Sequence, residues 1–492
     1  MTTSRTTKVF ALSFGRGLTT LVGLVVGMVL ARVLSKADLA TYRQTMLAYD
    51  VAIPLLSLGL ASGMYYFLPT EKNRARGVVV DGLVLMAGMG LLYAVFIALG
   101  GNHLLARRFS NPAIVNTLVY LVPLPILMLP EKLLPPVMVV QDQVTKLSVY
   151  NVLRSLLLAS SVIAACLWWK TPDAMILVRV GVSLLIGMAA LRLMWLAVPK
   201  DDWRPRWGSM KRMLTYSLPM VGATAMGAIS VQLDKLIVSS MCLPEQFAVY
   251  SNGAIQIPLV LILTGSIAAV IQPDLRRLVA EENRAGALAL FRQASLKSAV
   301  ILMPAMVFLF FSAKPFILFM FSSKYAGSVL PFQLYLLILP IRIVNFGVFM
   351  LAFGLTRVIM IRSLIGLIVN LILSIALVHW IGYLGAIIGT IISLYSVNCV
   401  LNFAIISRSA GCRWWQVVPF RDLSRIIGVS LLAALPVVLL HLMSVQWPPV
   451  VELGVDAVLF GGALALGVWA FHVVTMQEEA RRVWRKVIQW VR

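Results

Sequence analysis

"DLATY" (Asp38–Tyr42) and "EQFAVY" (Glu245–Tyr250) are two versions of one string, written about two hundred residues apart. Each joins an acidic residue, a large apolar residue, alanine and tyrosine, and each separates two long apolar runs. A second pair of echoes follows about thirty residues later, "EKNRARG" from Glu71 and "EENRAG" from Glu281. The strings fall in the connections after the first and seventh apolar runs, and the charged echoes after the second and eighth. A shift of six spans preserves orientation, so the order predicts a duplicated six-helix bundle with parallel repeats.

Composition requires a membrane. The 492 residues are 60% hydrophobic and 12% charged, with a mean hydropathy of +0.92. No soluble core can hide that much apolar surface. Runs of about twenty apolar residues succeed one another with short polar gaps, the pattern of stacked transmembrane helices. They number about fourteen. In the first half they lie near 9–34, 45–69, 78–101, 114–140, 145–168 and 174–197. In the second half they lie near 212–241, 247–271, 293–321, 329–355, 359–380, 383–407, 422–443 and 450–473, with a re-entrant shoulder expected at "KPFILFMF". The expected organisation is a bundle over 1–200, a second over 201–410, two added helices over 411–475 and a cytoplasmic amphipathic tail over 476–492.

The basic residues orient the spans. Counting connections and tails, 25 Lys and Arg fall on one side and 7 on the other, which by the positive-inside rule places both termini in the cytoplasm. The net charge of +23 is thus topology, and nucleic acid is not an expected partner. Arg16 interrupts the first apolar run, so no removable signal peptide is expected. Cys166, Cys242, Cys399 and Cys412 lack metal or redox spacing. In the tail, Val483, Trp484, Val487, Ile488 and Val491 line one stripe and basic residues the other, as for a helix resting on headgroups.

Further landmarks resemble a family. "VLARVLSKADLATY" with "IPLLSLGLASGMYYFLP", "YSLPMVGATAMGAISVQLDKLIVSSMCLPEQFAVYSNGAIQIP", "IQPDLRRL", "KPFILFMFSSKYAGSVLPFQLY" and "GYLGAIIGTIISLYSV" resemble, in order, polysaccharide flippases of the multidrug/oligosaccharidyl-lipid/polysaccharide (MOP) exporter superfamily. The family usually has glycine where this chain has Ala40, Ala248, Ser322 and Ser323. The resemblance implies an all-α integral membrane protein whose two pseudo-symmetric six-helix bundles form a V. It also implies flipping of an undecaprenyl-diphosphate-linked oligosaccharide across the bacterial inner membrane, with membrane lipids, a polysaccharide polymerase and export proteins as surroundings.

A diphosphate and a sugar are costly in hydrocarbon, so such a substrate needs a wet cationic cavity. Arg154 and Arg342 lie near mid-span, too deep to snorkel. With Arg16, and with Lys132 and Lys235 in support, they are the expected substrate-binding residues. Asp50, Asp234 and Glu131 are expected as counter-charges or as sites of proton or sodium coupling, with no other cofactor or metal. Glu131 is expected to neutralise its neighbour Lys132. Arg32, Arg179, Arg192 and Lys297 lie near span ends, where long side chains snorkel, and Asp81 lies close to a cytoplasmic end.

Two stripes have two readings each. Arg16, Thr20, Gly23 and Gly27 share one face of the first span, and Ala223, Gly227, Ser230 and Asp234 one face of the seventh. Small faces serve either helix packing or a cavity wall. Rival functions also stay open. A multidrug exporter or a peptidoglycan-precursor flippase would share the architecture. An oligosaccharide polymerase or ligase would need a long external loop, which the short gaps do not provide. His103, His379, His441 and His472 lie near span ends and read as interfacial, so no enzyme is expected.

Overall fold

The computed structural model describes the backbone of residues 5–443, 447–471 and 476, apart from the side chains of residues 5–16, 18, 72, 219, 220, 223, 224, 258, 259 and 261. The expected tail helix therefore lies outside the described residues, as does the side chain of Arg16. Among the described residues the chain is all helical, with no strand. By contacts it divides into two compact units, 1–248 and 249–492.

The first unit contains α1 (Arg5–Val33), α2 (Lys36–Leu56), α3 (Leu60–Thr70), α4 (Ala75–Phe96), α5 (Asn102–Arg108), α6 (Ile114–Leu121), α7 (Pro123–Glu131) and α8 (Leu134–Val140). It continues with α9 (Val144–Trp169), α10 (Pro172–Ala197) and α11 (Trp207–Met241). After α12 (Pro244–Gly253), which spans the division, the second unit contains α13 (Pro258–Ala280), α14 (Arg284–Phe311), α15 (Ala313–Phe321), α16 (Val329–Leu336), α17 (Leu339–Ile343) and α18 (Phe346–Ala352). It ends with α19 (Thr356–Ile381), α20 (Leu384–Ser393), α21 (Val400–Ala410), α22 (Phe420–Leu442) and α23 (Pro449–Ala470).

Helices occupy every expected apolar run. Among the described residues, ten are long and apolar enough to cross a membrane, or eleven if Ser323–Leu336 and Leu339–Ala352, bent by 44°, are one span. The expected first, seventh and eighth runs, which α1, α11 and α13 occupy, are not among them. Pro123, Pro125, Pro130, Pro135 and Pro136 cut the fourth run into α6, α7 and α8, since a proline ring removes a donor and clashes with the preceding turn. The chain also breaks at Ser312, so "KPFILFMF" forms α15, a helix of its own. Between α4 and α5 the helix widens into a π turn at Ile97–Gly101, with Gly100 at φ 96°. Such turns are the usual source of a sharp kink.

The repeated strings are helix starts, not loops. Ser35 caps α2, its hydroxyl accepting from the Asp38 backbone N–H at 3.0 Å and donating to the Asp38 carboxylate at 2.6 Å. In the second copy, Gln246 accepts from the Leu243 N–H at 3.1 Å. Leu39, Ala40, Phe247, Ala248 and Tyr250 are all essentially inaccessible. A reciprocal cap and a buried small-residue turn explain why those residue types recur.

Just beyond "DLATY", a buried polar network ties α2 to its neighbours. The Asn111 amide donates to Thr41 at 3.0 Å and to Gln44 at 2.7 Å. Thr45 and Thr117 share a hydrogen bond of 2.6 Å. Gln44 in turn donates to Ser239 of α11 at 3.1 Å. Further along, α11 lies against α3: a Cβ on Gly63 would come within 2.5 Å of the Ser217 hydroxyl, Tyr66 stacks on Tyr216 at 4.8 Å, and Arg212 meets Glu71 at 2.9 Å. These pairs run in opposite chain directions, so α2–α3 and α11 form one long antiparallel seam. This seam is why α11 belongs to the first compact unit although it opens the expected second repeat.

In the second unit, α22 and α23 form a hairpin. Val307 of α14 packs with Ala433, Ala434, Val437 and Phe460 in its apolar core. His441 is more than interfacial. Its Nε2 lies 3.1 Å from Asp456, which is fully buried, and 3.4 Å from Glu452.

Candidate functional site

Two groups of charges stand in the first unit, and they are built differently. The first is at the connection between α10 and α11. Asp81, wholly buried, accepts from Arg74 Nη1 at 2.7 Å, from Arg74 Nη2 at 3.3 Å and from the Arg206 backbone N–H at 2.9 Å. Arg74 also donates to the Arg204 carbonyl at 2.6 Å. Asp201 accepts from the Arg76 N–H at 2.8 Å. The hydrogen bond to Asp81 holds the Arg74 guanidinium above its usual proton affinity. Both Asp81 oxygens are met by donors, so this is a latch that fixes the 198–206 segment.

The second group lies deep in the spans. Asp50 of α2 is exposed, and the charges of Arg179, Lys235 and Lys132 act on it. Those three cations come from α10, from α11 and from the turn after α7. Arg179 also lies within hydrogen-bonding reach of Tyr42 and in the field of Tyr49. Lys235 feels Asp234, Arg43 and Asp50. A carboxylate with several cations around it is costly against lipid; the arrangement suits a wet space. With Asp234 counted beside Asp50, the three cations still outnumber the acids, so an incoming anion finds net positive charge.

The expected residues are thus placed unevenly. Asp50, Lys132 and Lys235 belong to this cluster, with buried Asp234 beside Lys235. Arg154 is already paired: its Nε lies 2.9 Å from Glu131, which Tyr150 also contacts at 3.2 Å. The expected Glu131–Lys132 neutralisation is not what forms. Glu131 turns inward to Arg154, and Lys132 is exposed. Arg342 belongs to the second unit, on the short α17. It lines a small recess with Gln256 and Tyr335 where two spans are broken, and it has no ion pair among the described residues. Arg179 is the correction. It is the eighth residue of α10 and was expected to snorkel, yet it points into the cluster, where Tyr42 of the repeated string receives it.

The small-residue stripes are also resolved where side chains are described. A Cβ on Gly23, Gly27 or Gly227 would meet nothing within 4 Å. A Cβ on Gly90, by contrast, would lie 2.6 Å from the Ile126 backbone. Gly90 is a packing glycine; the stripe glycines face open space.

With this geometry established, sequence comparison assigns the family. The sequence model described as "Polysaccharide biosynthesis protein" matches residues 29–330, more than half the chain. The chain belongs to the polysaccharide biosynthesis protein family. No curated protein matches the sequence. Among solved structures, the lipid II flippase MurJ in an inward closed conformation is similar at a TM-score of 0.74 and 14% identity, covering 94% of this chain and 98% of that one. An inward-facing multidrug resistance MATE family transporter of the MOP superfamily is similar at 0.65 and 15%, covering 80% and 94%. An outward-facing one is similar at 0.56 and 13%, covering 82% and 95%. At these identities the likeness is one of fold: the family member is a multi-pass membrane protein with the MOP transporter fold.

Proposed function

We propose that this family member flips undecaprenyl-diphosphate-linked oligosaccharide units across the bacterial inner membrane by alternating access, with both termini cytoplasmic. The observation that carries the proposal is the convergence of Arg179, Lys235 and Lys132 on the exposed Asp50. Phosphate oxygens entering that space replace Asp50 as partner for the cations, and charge-assisted hydrogen bonds of this kind are the strong ones. Arg16, Arg154 and Arg342 stay in the proposal as further cations for the headgroup. Arg154 reaches it only by exchanging Glu131 for substrate. Asp50, Asp234 and Glu131 are the candidate groups for coupling to a proton or sodium gradient.

The repeats over 1–200 and 201–410 supply the two rocking bodies, with two further spans over 411–475. A polymerase and export proteins would take the product. A cationic space disfavours the cationic drugs of a multidrug exporter, and the multidrug transporters cover 80–82% of the chain where the lipid II flippase covers 94%. Family membership favours a polysaccharide repeat unit over a peptidoglycan precursor.

Depletion tests this. Lipid-linked single repeat units should accumulate on the cytoplasmic face, and wild-type protein but not Arg179→Ala or Lys235→Ala should clear them. Accumulation on the external face would instead indicate a polymerase, and clearance by both variants would remove the cluster from the mechanism.

A further inference from the structure

One aromatic group of the first unit is braced from inside yet open to the outside. Near the end of the second span, Tyr66 of α3 and Tyr216 of α11 stack at 4.8 Å with their planes 13° apart. Buried Phe67 sets its edge against both, 5.2 Å from Tyr66 and 5.4 Å from Tyr216. The stacked pair itself is accessible, Tyr66 being 50% and Tyr216 43% exposed. Among the described residues neither hydroxyl has a hydrogen-bond partner. Little more than a turn away on each helix, Glu71 and a largely exposed Arg212 close their 2.9 Å ion pair.

The open side of α3 is the side on which α2 carries Asp50. Leu60, Gly63, Met64, Phe67 and Leu68 form the buried face of α3, and Tyr65, Tyr66 and Pro69 lie opposite them. Behind the buried face stands α4: a Cβ on its Gly82 would meet Met64, Leu133 at the start of α8 and Met213 of α11. Gly63 lies against Ser217 of α11, and α8 also packs on α3. The back and flanks of α3 are thus taken by α4, α8 and α11. The same flanks bound Asp50, since Lys132 lies in the turn into α8 and Lys235 on α11. Because α2 and α3 belong to one span, Lys36–Thr70, Tyr66 lies at most ~24 Å from Asp50 along it.

Exposed aromatic residues at a span end commonly serve as interfacial anchors, and Trp195, Trp203 and Trp207, all exposed near this end, fit that description. An anchor has no need to stack on a second ring braced by a third. A rigid aromatic face with free hydroxyls and a charged rim suits a carbohydrate. The C–H face of a pyranose ring is drawn to the negative face of an aromatic ring. Its hydroxyls find donors and acceptors in phenol, guanidinium and carboxylate. A hydrocarbon chain would use none of these polar groups.

We propose that Tyr66 and Tyr216 form the platform on which the sugars of the substrate stack, and that this contact, more than the cationic cluster, distinguishes one glycan from another. The proposal rests on the flippase reading, and the test separates the two. The probe is the free oligosaccharide released by mild acid from the lipid-linked material that accumulates on depletion. Its binding to purified full-length protein in nanodiscs is followed by saturation-transfer NMR, and inorganic pyrophosphate binding is measured in parallel.

The expected result is transfer to sugar C–H protons, with affinity lowered roughly two- to tenfold by Tyr66→Ala and by Tyr216→Ala. Tyr66→Phe, which keeps the ring and loses the hydroxyl, should cost less; Tyr66→Leu replaces the alanine variant if that folds poorly. All four should keep pyrophosphate binding, whereas Arg179→Ala should lose it and keep the sugar contact. Sugar contact unchanged in the tyrosine variants, with only the melting temperature lowered, makes these residues interfacial anchors and overturns the platform. Pyrophosphate binding without any sugar contact to the parent protein overturns the platform alone. Sugar contact without pyrophosphate binding overturns the headgroup reading and leaves the platform standing. Depletion that accumulates no lipid-linked glycan overturns the flippase reading and the platform's ligand with it.

Discussion

The Arg74–Asp81 latch and the Asp50 cluster use the same chemistry, arginine and carboxylate, toward opposite ends. In the latch both carboxylate oxygens of Asp81 are met by donors, three in all, and the acid has no exposed surface. In the cluster the carboxylate is exposed and the cations exceed it. The first arrangement holds a shape; the second holds a charge in readiness. Stoichiometry and exposure distinguish them.

The largest expected effect breaks this comparison from the structural side. Arg74→Ala leaves a fully buried carboxylate without its main partner, and removing one member of a buried pair costs ~3–5 kcal/mol. The protein should lose thermal stability in detergent by that margin, and with it expression. Arg179→Ala removes a cation that is in excess, so its stability cost should stay below about 1 kcal/mol while flipping is lost. If Arg179→Ala unfolded the protein as Arg74→Ala does, the cluster would be a second latch and the distinction would fail.

A smaller effect sharpens the same contrast with uncharged groups. Gly90→Ala forces a methyl against the Ile126 backbone at 2.6 Å, and overpacking of this kind costs ~1–3 kcal/mol. Gly27→Ala meets nothing within 4 Å and gains helix propensity of up to ~1 kcal/mol. Thermal melts of the two variants should move in opposite directions. Gly27→Trp should fold and yet impede transport, because it fills the space and not a helix contact.

What the sequence could show, and what it could not, follows from the range of each signal. Apolar runs are local, so helices stand where they were expected, and the proline cuts of the fourth run were readable from the prolines themselves. The π turn at Ile97–Gly101 carries no comparable residue signal. Glu131 was matched with Lys132 because the two adjoin in sequence, but consecutive residues on a helix diverge by ~100° and do not face each other. Its true partner, Arg154, is two helices away. Arg179 was read as a snorkelling residue from its distance to a span end; only the rotation of α10, which brings it to Tyr42, reveals its role. The packing of α11 on α2 and α3 was equally beyond local reading, since it rests on Gln44, Gly63 and Glu71 meeting residues more than a hundred positions away.

Ser322 links that sequence reading to a stability test. The resembled family usually has glycine here, and the structure gives Ser322 φ 75° and ψ 172°, a region nearly exclusive to glycine and costing other residues ~1–3 kcal/mol. Its hydroxyl is also buried without a hydrogen bond. Ser322→Gly should therefore stabilise the second unit, by about 1 kcal/mol once the greater freedom of the unfolded glycine is deducted. A melting temperature unchanged or lowered would show that the surrounding helices, and not the residue, set this turn.

The smallest expected effect concerns the rim of the latch. Asp202 is exposed and accepts from the Arg204 backbone N–H at 3.1 Å and from Arg206 Nη2 at 2.7 Å. The backbone hydrogen bond first, and the Arg206 guanidinium next, hold its carboxyl below the usual aspartate value. Because the folded value is depressed, its contribution is fully present above the ordinary value near ~3.9 and is lost as pH falls through the lower folded value. Hydrogen exchange at the Arg204 amide, compared between the parent and Asp202→Ala, should show extra protection in the parent at neutral pH that disappears at the acid end. Added salt should shrink the difference, as for any exposed ion pair. The wholly buried Asp81 contacts should not respond to salt in this way, and equal salt sensitivity at the two carboxylates would mean that the latch is wet throughout.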